Sequence, residues 1–465
     1  MTSSSRPFRR AIGVTVTLLI VLVGVFAGLN YFHGPKLASG SVDLERVVLQ
    51  SGQQLRLFAN QNISTVRKRQ VTVTPATPFT VNSSGKVIAV QFTHRLLYGT
   101  KYTVRARAVG NAVQPGTTEF RYSFVTAPAQ IYYLDRADPA STGRQVDRII
   151  KTGLRTEKRT VVYSAPHIDQ FVALPGAVAF TTLGDDGTTS LSLVSDRDSS
   201  IVEHFLLPGS GTIDQLQVAP EGGVLGFVFT SSGPATDAQY PGILMTINLT
   251  GAHTAVPALD LAKKPLAVTG WSFIAGSADI VAQSMDQTVL RINPLTPGAD
   301  IPLGQYQGLG RSAPDGKSIV VSDAFGSLAY SLDTGKETRL PSPPIAGART
   351  FGGTTALVGP GTTRVRQVTT LDPSDRGRYT SSIVLEQGDH TRVLYQPTGR
   401  NASIEGFSVS PNGQYLAVNV IPDYGTSISD GYLNGAQSTS ITTIFIDIAT
   451  GSLVSGVAGF DESWR

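Results

Sequence analysis

Residues 408–420 read SVSPNGQYLAVNV. A short apolar run enters a Pro-Asn-Gly turn, and a second apolar run leaves it. Pro411 presets φ near −65° and Gly413 accepts positive φ, so the turn has a mechanism. The flanking runs have strand character, and the whole unit reads as a β-hairpin. Related units stand at 312–323 (SAPDGKSIVVSD) and 218–230 (VAPEGGVLGFVFT). A hairpin that recurs is the sequence sign of a repeat architecture.

Working outward, each hairpin is followed by a variable stretch and then a strand that ends in a second turn. Residues 328–338 (LAYSLDTGKET), 243–254 (ILMTINLTGAHT) and 443–454 (TIFIDIATGSLV) align on that turn. The unit is about 45–50 residues long, the scale of a propeller blade. These segments resemble the repeats of TolB-like and WD40-like β-propellers, whose signature pairs an S-P-D-G hairpin with a strand closing on D-x-x-T-G. The Gly-His and Trp-Asp dipeptides of true WD40 blades are absent, so the TolB-like comparison is the better one. The resemblance implies a propeller over 128–465 with about seven blades, six to eight being possible. Degenerate turns are expected at 273–277 (FIAGS) and 174–177 (LPGA). Residues 459–464 (GFDESW) look like the start of a blade, while 131–134 (IYYL) and 161–163 look like a blade lacking its first strand. A C-terminal strand completing the first blade would close the ring and protect its edges.

Residues 40–127 carry five to seven short alternating runs, as in a β-sandwich. Residues 97–104 (LYGTKYTV) resemble the L-x-P-G-T-x-Y-x-V stretch of fibronectin type III and bacterial Ig-like domains. Tyr102 matches the tyrosine of the corner, a structural role in which the hydroxyl satisfies backbone. Residues 71–97 and 120–128 resemble the opening and closing of the Ig-like domains of surface-layer and envelope proteins. That family implies spacing or adhesion and brings no catalytic residue.

At the N-terminus, residues 1–10 are polar and include Arg6, Arg9 and Arg10, and residues 11–32 (AIGVTVTLLIVLVGVFAGLNYF) carry no charge. About 20 helical residues cross a bilayer core of about 30 Å. The arginines before the run put the N-terminus in the cytoplasm and the rest outside. The reading is an uncleaved single-pass anchor in a bacterial cell membrane, with a cleaved signal peptide as its rival. The fold class expected is therefore all-β: a cytoplasmic tail (1–10), one transmembrane helix (11–32), an Ig-like sandwich (40–127) and a propeller (128–465).

Composition narrows the function. The 465 residues include no Cys, which excludes disulfides, thiolate metal sites and a thiol nucleophile. A net charge of +4 with scattered basic residues gives nucleic-acid binding little support. The basic run Arg67, Lys68 and Arg69 reads as a solvated loop, with anionic lipid or wall polymer as an alternative contact. No G-x-S-x-G and no H-E-x-x-H occurs, and the six His are widely separated. Residues 310–318 (GRSAPDGKS) resemble a phosphate loop but miss its spacing by one and lead into a hairpin. The acidic pairs Asp185-Asp186 and Asp196/Asp198 lack the EF-hand pattern and read as turns. No catalytic residue, cofactor or metal ligand is assigned.

Candidate sites lie where the repeat is interrupted, at 231–241 (SSGPATDAQYP) and 422–440 (PDYGTSISDGYLNGAQSTS). Loops on a rigid scaffold carry function, and Tyr240, Tyr424 and Tyr432, with Asp423 and Asp430, are candidate partner-binding residues. The expected function is a membrane-anchored binding or scaffold protein that meets a protein or glycan of the cell envelope. The alternative is a propeller enzyme of lyase or lactonase type with an axial polar or metal site. Convergent Asp, Glu, His or Asn on the axis would favour the enzyme, and an apolar or Ser/Thr lining the binder.

Overall fold

The computed structural model describes residues 6–32, 34–112, 116–138, 146–156, 158–220, 222–233, 239–296, 298, 300–341, 350–359, 361–371, 379–432 and 435–465. The chain divides into two compact units, Met1–Ala127 and Pro128–Arg465.

The first unit begins with α1 (Arg6–Phe32). The side chains of α1 are described from Arg10 to Gly24, and all of them are exposed. Among the described residues, no helix is long and apolar enough to cross a membrane. Seven strands follow: β1 (Leu37–Ser41), β2 (Gln54–Ala59), β3 (Val71–Thr74), β4 (Phe79–Ser84), β5 (Val87–Phe92), β6 (Lys101–Gly110) and β7 (Thr117–Val125). They form two antiparallel sheets, in the orders β1-β2-β5-β4 and β3-β6-β7. The sheets face each other through inward alternate residues, with Phe92 and Phe124 in contact at 6.3 Å between ring centroids. Tyr102, at the start of β6, is buried, and its hydroxyl accepts the backbone N–H of Leu97 at 3.1 Å. Burial raises the Tyr102 pKa, while that bond partly offsets the shift.

One alternating run is not a strand. Val47 and Leu49 lie on a short helical turn, Arg46–Leu49, because Asp43 Oδ1 accepts the amides of Glu45 and Arg46 and starts the turn.

The second unit is a β-propeller of seven four-stranded antiparallel sheets. Blades 2 to 7 each use four consecutive strands and span 168–204, 211–257, 268–305, 308–339, 350–395 and 403–458. Blade 1 is composite. Its strands Gln130–Asp135, Asp147–Gly153 and Arg159–Ala165 are completed on the inside by the C-terminal strand Phe460–Trp464. Ring closure therefore takes the form that the terminal sequences suggest, and each of the seven blades has its inner strand.

The core lies between blades. Tyr132, Leu134 and Ile149 of blade 1 pack on Phe171, Val178 and Phe180 of blade 2. Similar clusters join blades 2 and 3, 3 and 4, 4 and 5, 5 and 6, and 6 and 7. The first hairpin of each of blades 2 to 7 turns on a glycine with positive φ: Gly176, Gly222, Gly276, Gly316, Gly361 and Gly413. The degenerate turns at 174–177 and 273–277 thus occupy the same place as Pro-Asn-Gly, and they keep the one residue that the backbone requires.

Candidate functional site

Strand alternation divides the propeller into two unlike faces. In an antiparallel blade, the turns after the first and third strands share one face. The turns after the second strand and the links to the next blade share the other. The first face holds the S-P-D-G-like and D-x-x-T-G-like turns, of which the longest is the connection 293–300. The second face receives the longest interruptions: 136–146, 232–242 and 422–441 all join a second strand to a third, as the shorter 372–378 does. Of these, residues 139–145, 234–238, 372–378 and 433–434 lie outside the described residues. Several large apolar side chains are exposed in connections of the same face: Phe325 (87%), Leu206 (82%), Tyr424 (69%) and Met285 (68%). Side chains this exposed are available to a partner.

The inner strands carry a second regularity. Each has a break in register in which it contributes one more residue than its neighbour: Phe460/Ser463, Ile168/Phe171, Asp214/Gln217, Val268/Gly270, Leu309/Ser312, Gly352/Thr355 and Ile404/Gly406. These are β-bulges, which bend a strand and re-aim its side chains. The residues at the bulges are largely polar and include Asp169, Gln215, Thr269, Arg311, Glu405, Asp461 and Glu462. Gln215 and Asp461 adopt left-handed backbone, with φ 53° and 55°. The inner strand is the one that borders the central channel of a propeller.

The blade 7 insertion meets these bulges at Arg136. Its guanidinium donates to Asp430 Oδ2 at 2.7 Å, to Gly435 O at 3.1 Å and to Asp169 O at 2.8 Å. It lies 3.7 Å from the ring centroid of Tyr432 and 5.0 Å from that of Phe460. The Tyr432 hydroxyl donates to Asp147, whose carboxylate also accepts the amides of Ala137 and Ile168. Burial and Asp147 push the Tyr432 pKa up. Asp169 is also raised, first by burial, with Arg136 acting in the opposite sense. Asp461 is pushed up to about 7 by burial and by the neighbouring Glu462. Burial raises Glu462 as well, although Ser408 bonds to it.

The five candidate residues separate accordingly. Asp430 and Tyr432 are brought together, but around Arg136, with Asp430 buried and Tyr432 half-buried, where they fasten the insertion to blades 1 and 2. Tyr240 packs into the blade 2–3 core, with its amide donating to Ser231 Oγ at 3.0 Å. Asp423 is half-buried and accepts from Asn401 Nδ2 at 3.1 Å, which holds its pKa below the usual range. Tyr424 alone is largely exposed. Phe325 and Met285 are not marked by any insertion, because they sit in turns of two and three residues; a large apolar residue within two positions of an Asp in a tight turn is the signal that the sequence offers for them.

The acidic turns are structural. Asp186 and Asp198 cap their own turns at Thr188 and Ser200, while Asp196 accepts from Lys151 and Tyr132, each at 3.1 Å, and joins blade 2 to blade 1. Among the described residues, no group of three His, Asp or Glu is placed to hold a metal ion.

No family model matches the chain, and no curated protein matches it. Solved structures do. TolB from Acinetobacter baumannii is similar at 12% identity and a TM-score of 0.37, over 85% of this chain and 82% of that one. The β-propeller domain of the Trilobed protease from Pyrococcus furiosus is similar at 11% identity and a TM-score of 0.42, over 66% and 98%. An oligogalacturonate lyase in complex with manganese is similar at 13% identity and a TM-score of 0.40, over 70% and 84%. Likeness at this level is one of fold, and nothing about activity rests on it.

Proposed function

We propose that the protein is a membrane-anchored, extracytoplasmic binding or scaffold protein of a bacterial envelope, which offers the loop face of its propeller to a protein or glycan partner. The observation that carries this reading is the gathering of the three longest interruptions between strands of a blade on one face, with Phe325, Leu206, Met285 and Tyr424 exposed beside them, where the other face exposes Leu453 and Ile201 among shorter turns.

The anchor is argued from the uncharged run at 11–32 behind three arginines. The exposed Ile12, Val14, Val16 and Leu18 to Val23 are an apolar surface that calls for cover. For the first unit, an immunoglobulin-like spacer is supported by strand order. Lettered A to G, its sheets run A-B-E-D and C-F-G, the constant-type arrangement, and Tyr102 begins strand F, where the tyrosine corner belongs.

The test is capture from envelope extract on the immobilised full-length chain. Replacing Phe325, Met285 and Tyr424 by Ser should abolish capture of the partner. Leu453→Ser, on the opposite face, should leave it intact. Equal capture by both variants would refute the loop-face reading.

The second reading, an axial enzyme of lyase or lactonase type, is favoured by one observation: Asp169, Asp461 and Glu462 stand on adjoining inner strands with raised pKa values. Against it, Arg136 already occupies the carboxylates of Asp169 and Asp430.

A further inference from the structure

A cleft of about 400 Å³ opens on the loop face between the outer strand of blade 1 and the flank of blade 2. Its size lies within the range of small-ligand sites, about 300–1,000 Å³. Elsewhere the flanks of neighbouring blades meet through apolar side chains, as Val178 and Val194 do lower on this same flank. Near the loop face the pattern changes. Strand register sets Phe180, Ser192 and His204 side by side in one row, and Thr182 beside Ser190 in the next. Ser192 Oγ and His204 Nδ1 are 2.8 Å apart, and the Thr182 and Ser190 hydroxyls 2.9 Å apart. Tyr163 of blade 1 leans on Phe180 with ring centroids at 4.5 Å. The rim is formed by His167, held in left-handed backbone at φ 52°, with its ring edge against Tyr432 at 5.7 Å.

These groups select a ligand. An aromatic wall takes flat C–H surface, and two rows of hydroxyl and imidazole groups exchange hydrogen bonds in either direction. Asp185 adds an acceptor, and among the described residues no Lys or Arg lines the cleft. An anionic ligand would meet a carboxylate and no countercharge, and a purely apolar ligand would take water from hydroxyl and imidazole groups without using their remaining hydrogen-bonding capacity. We propose that this cleft is a binding site for one neutral pyranose ring of a glycan. Tyr163 meets its C–H face, Ser190 and His204 meet its hydroxyls, and the buried Ser192 orients the His204 ring.

The site requires neither the anchor nor the loop-face partner. Glycoside binding without Phe325-dependent capture would remove only the partner reading.

The test is saturation-transfer NMR on the full-length chain in a non-glycosidic detergent. The probes are methyl glucoside, galactoside, mannoside and N-acetylglucosaminide, with glucuronate and inorganic phosphate for comparison. Transfer to ring protons of at least one neutral glycoside is expected. Tyr163→Leu and His204→Ala should each weaken it about tenfold. Ser190→Trp, at an exposed position, fills the cleft without touching the core and should abolish it, which decides the matter if either other variant unfolds. Absence of transfer from all four glycosides overturns the proposal. So does transfer unchanged in a folded Ser190→Trp protein, or tighter binding of glucuronate or phosphate than of any neutral glycoside.

Discussion

Arg136 and Asp430 are 294 positions apart, yet Arg136 Nη1 donates to Asp430 Oδ2 at 2.7 Å, with side chains 4% and 2% exposed. The pair fixes the long insertion of blade 7 to blade 1, and through Asp169 to blade 2. Removing one partner from a buried pair leaves a charge with no compensation, at a cost of about 3–5 kcal/mol. Arg136→Ala should therefore lower stability by that order in denaturant titration. Asp430→Asn keeps the shape and some hydrogen bonding, and should cost less. If both variants unfold at the parent midpoint, the insertion is held by other contacts.

Asp461 gives the propeller a dependence on pH of definite sign. Burial and Glu462 push its pKa up to about 7, while Arg136 and the amide of Phe171 pull the other way and Asp169 adds to the rise. An unfolded Asp titrates near 3.9. The folded state thus favours the protonated form. Its contribution is complete below pH 4 and is lost as pH rises through about 7. Asp169 and Glu462 are raised too and act in the same sense. Asp323, held down to about 2 by Arg339, matters only in stronger acid. Thermal melts between pH 4.5 and 7.5 should show stability falling with pH, and Asp461→Asn should flatten that fall. A variant with the parent slope would place the titration elsewhere.

What could be read in the sequence was local. Pro411-Asn412-Gly413 announces a turn because its chemistry lies within three residues, and repetition then implies blades. The terminal half-blades were legible because each lacks what the other supplies. The bulges were not, because Asp169, Thr269, Arg311 and Glu405 share no residue type, and the extra residue exists only relative to a paired strand. Asp430 and Tyr432 were selectable as polar and aromatic groups in a loop. Their burial depends on Arg136, which no spacing connects to them. His204 and Ser192 were equally hidden, since register across three strands is what sets them in a row.

Gly316 faces the preceding blade. A Cβ at this position would lie 2.2 Å from the Ala275 carbonyl oxygen, and φ is 69°. Gly413 stands against Val358 O in the same way, at 2.6 Å. Gly361 has the same φ of 69°, but a Cβ there meets nothing within 4 Å. Alanine at positive φ destabilises by more than about 1 kcal/mol. Gly361→Ala should show that loss, and Gly316→Ala a larger one, because backbone must also move. Equal melting temperatures would mean that the turns are not packed blade on blade.

The seven C-terminal residues hold the ring shut. Gln130 and Arg465 exchange two backbone hydrogen bonds at 2.7 Å each. Towards blade 2, Ser463 Oγ accepts the amide of Ala173 at 3.1 Å, and Arg465 donates to Ala173 O. Towards blade 7, Trp464 Nε1 donates to Ser408 Oγ at 3.2 Å, and its ring lies 5.7 Å from Phe445 and 6.4 Å from Tyr415. Deleting 459–465 removes the inner strand of blade 1, uncovers Tyr132 and Leu134, and takes the blade 1 inner strand from beside the inner strands of blades 2 and 7. The effect should exceed that of any single substitution considered above. Calorimetry should show a lower, broader transition for the shortened propeller, with reduced cooperativity in denaturant. Trp464→Ala should reproduce part of the loss, since it breaks the blade 7 contacts while the strand pairing remains. A truncated chain that melts cooperatively at the parent temperature would show that blade 1 stands on three strands, and that the C-terminal strand is an ornament of the ring rather than its clasp.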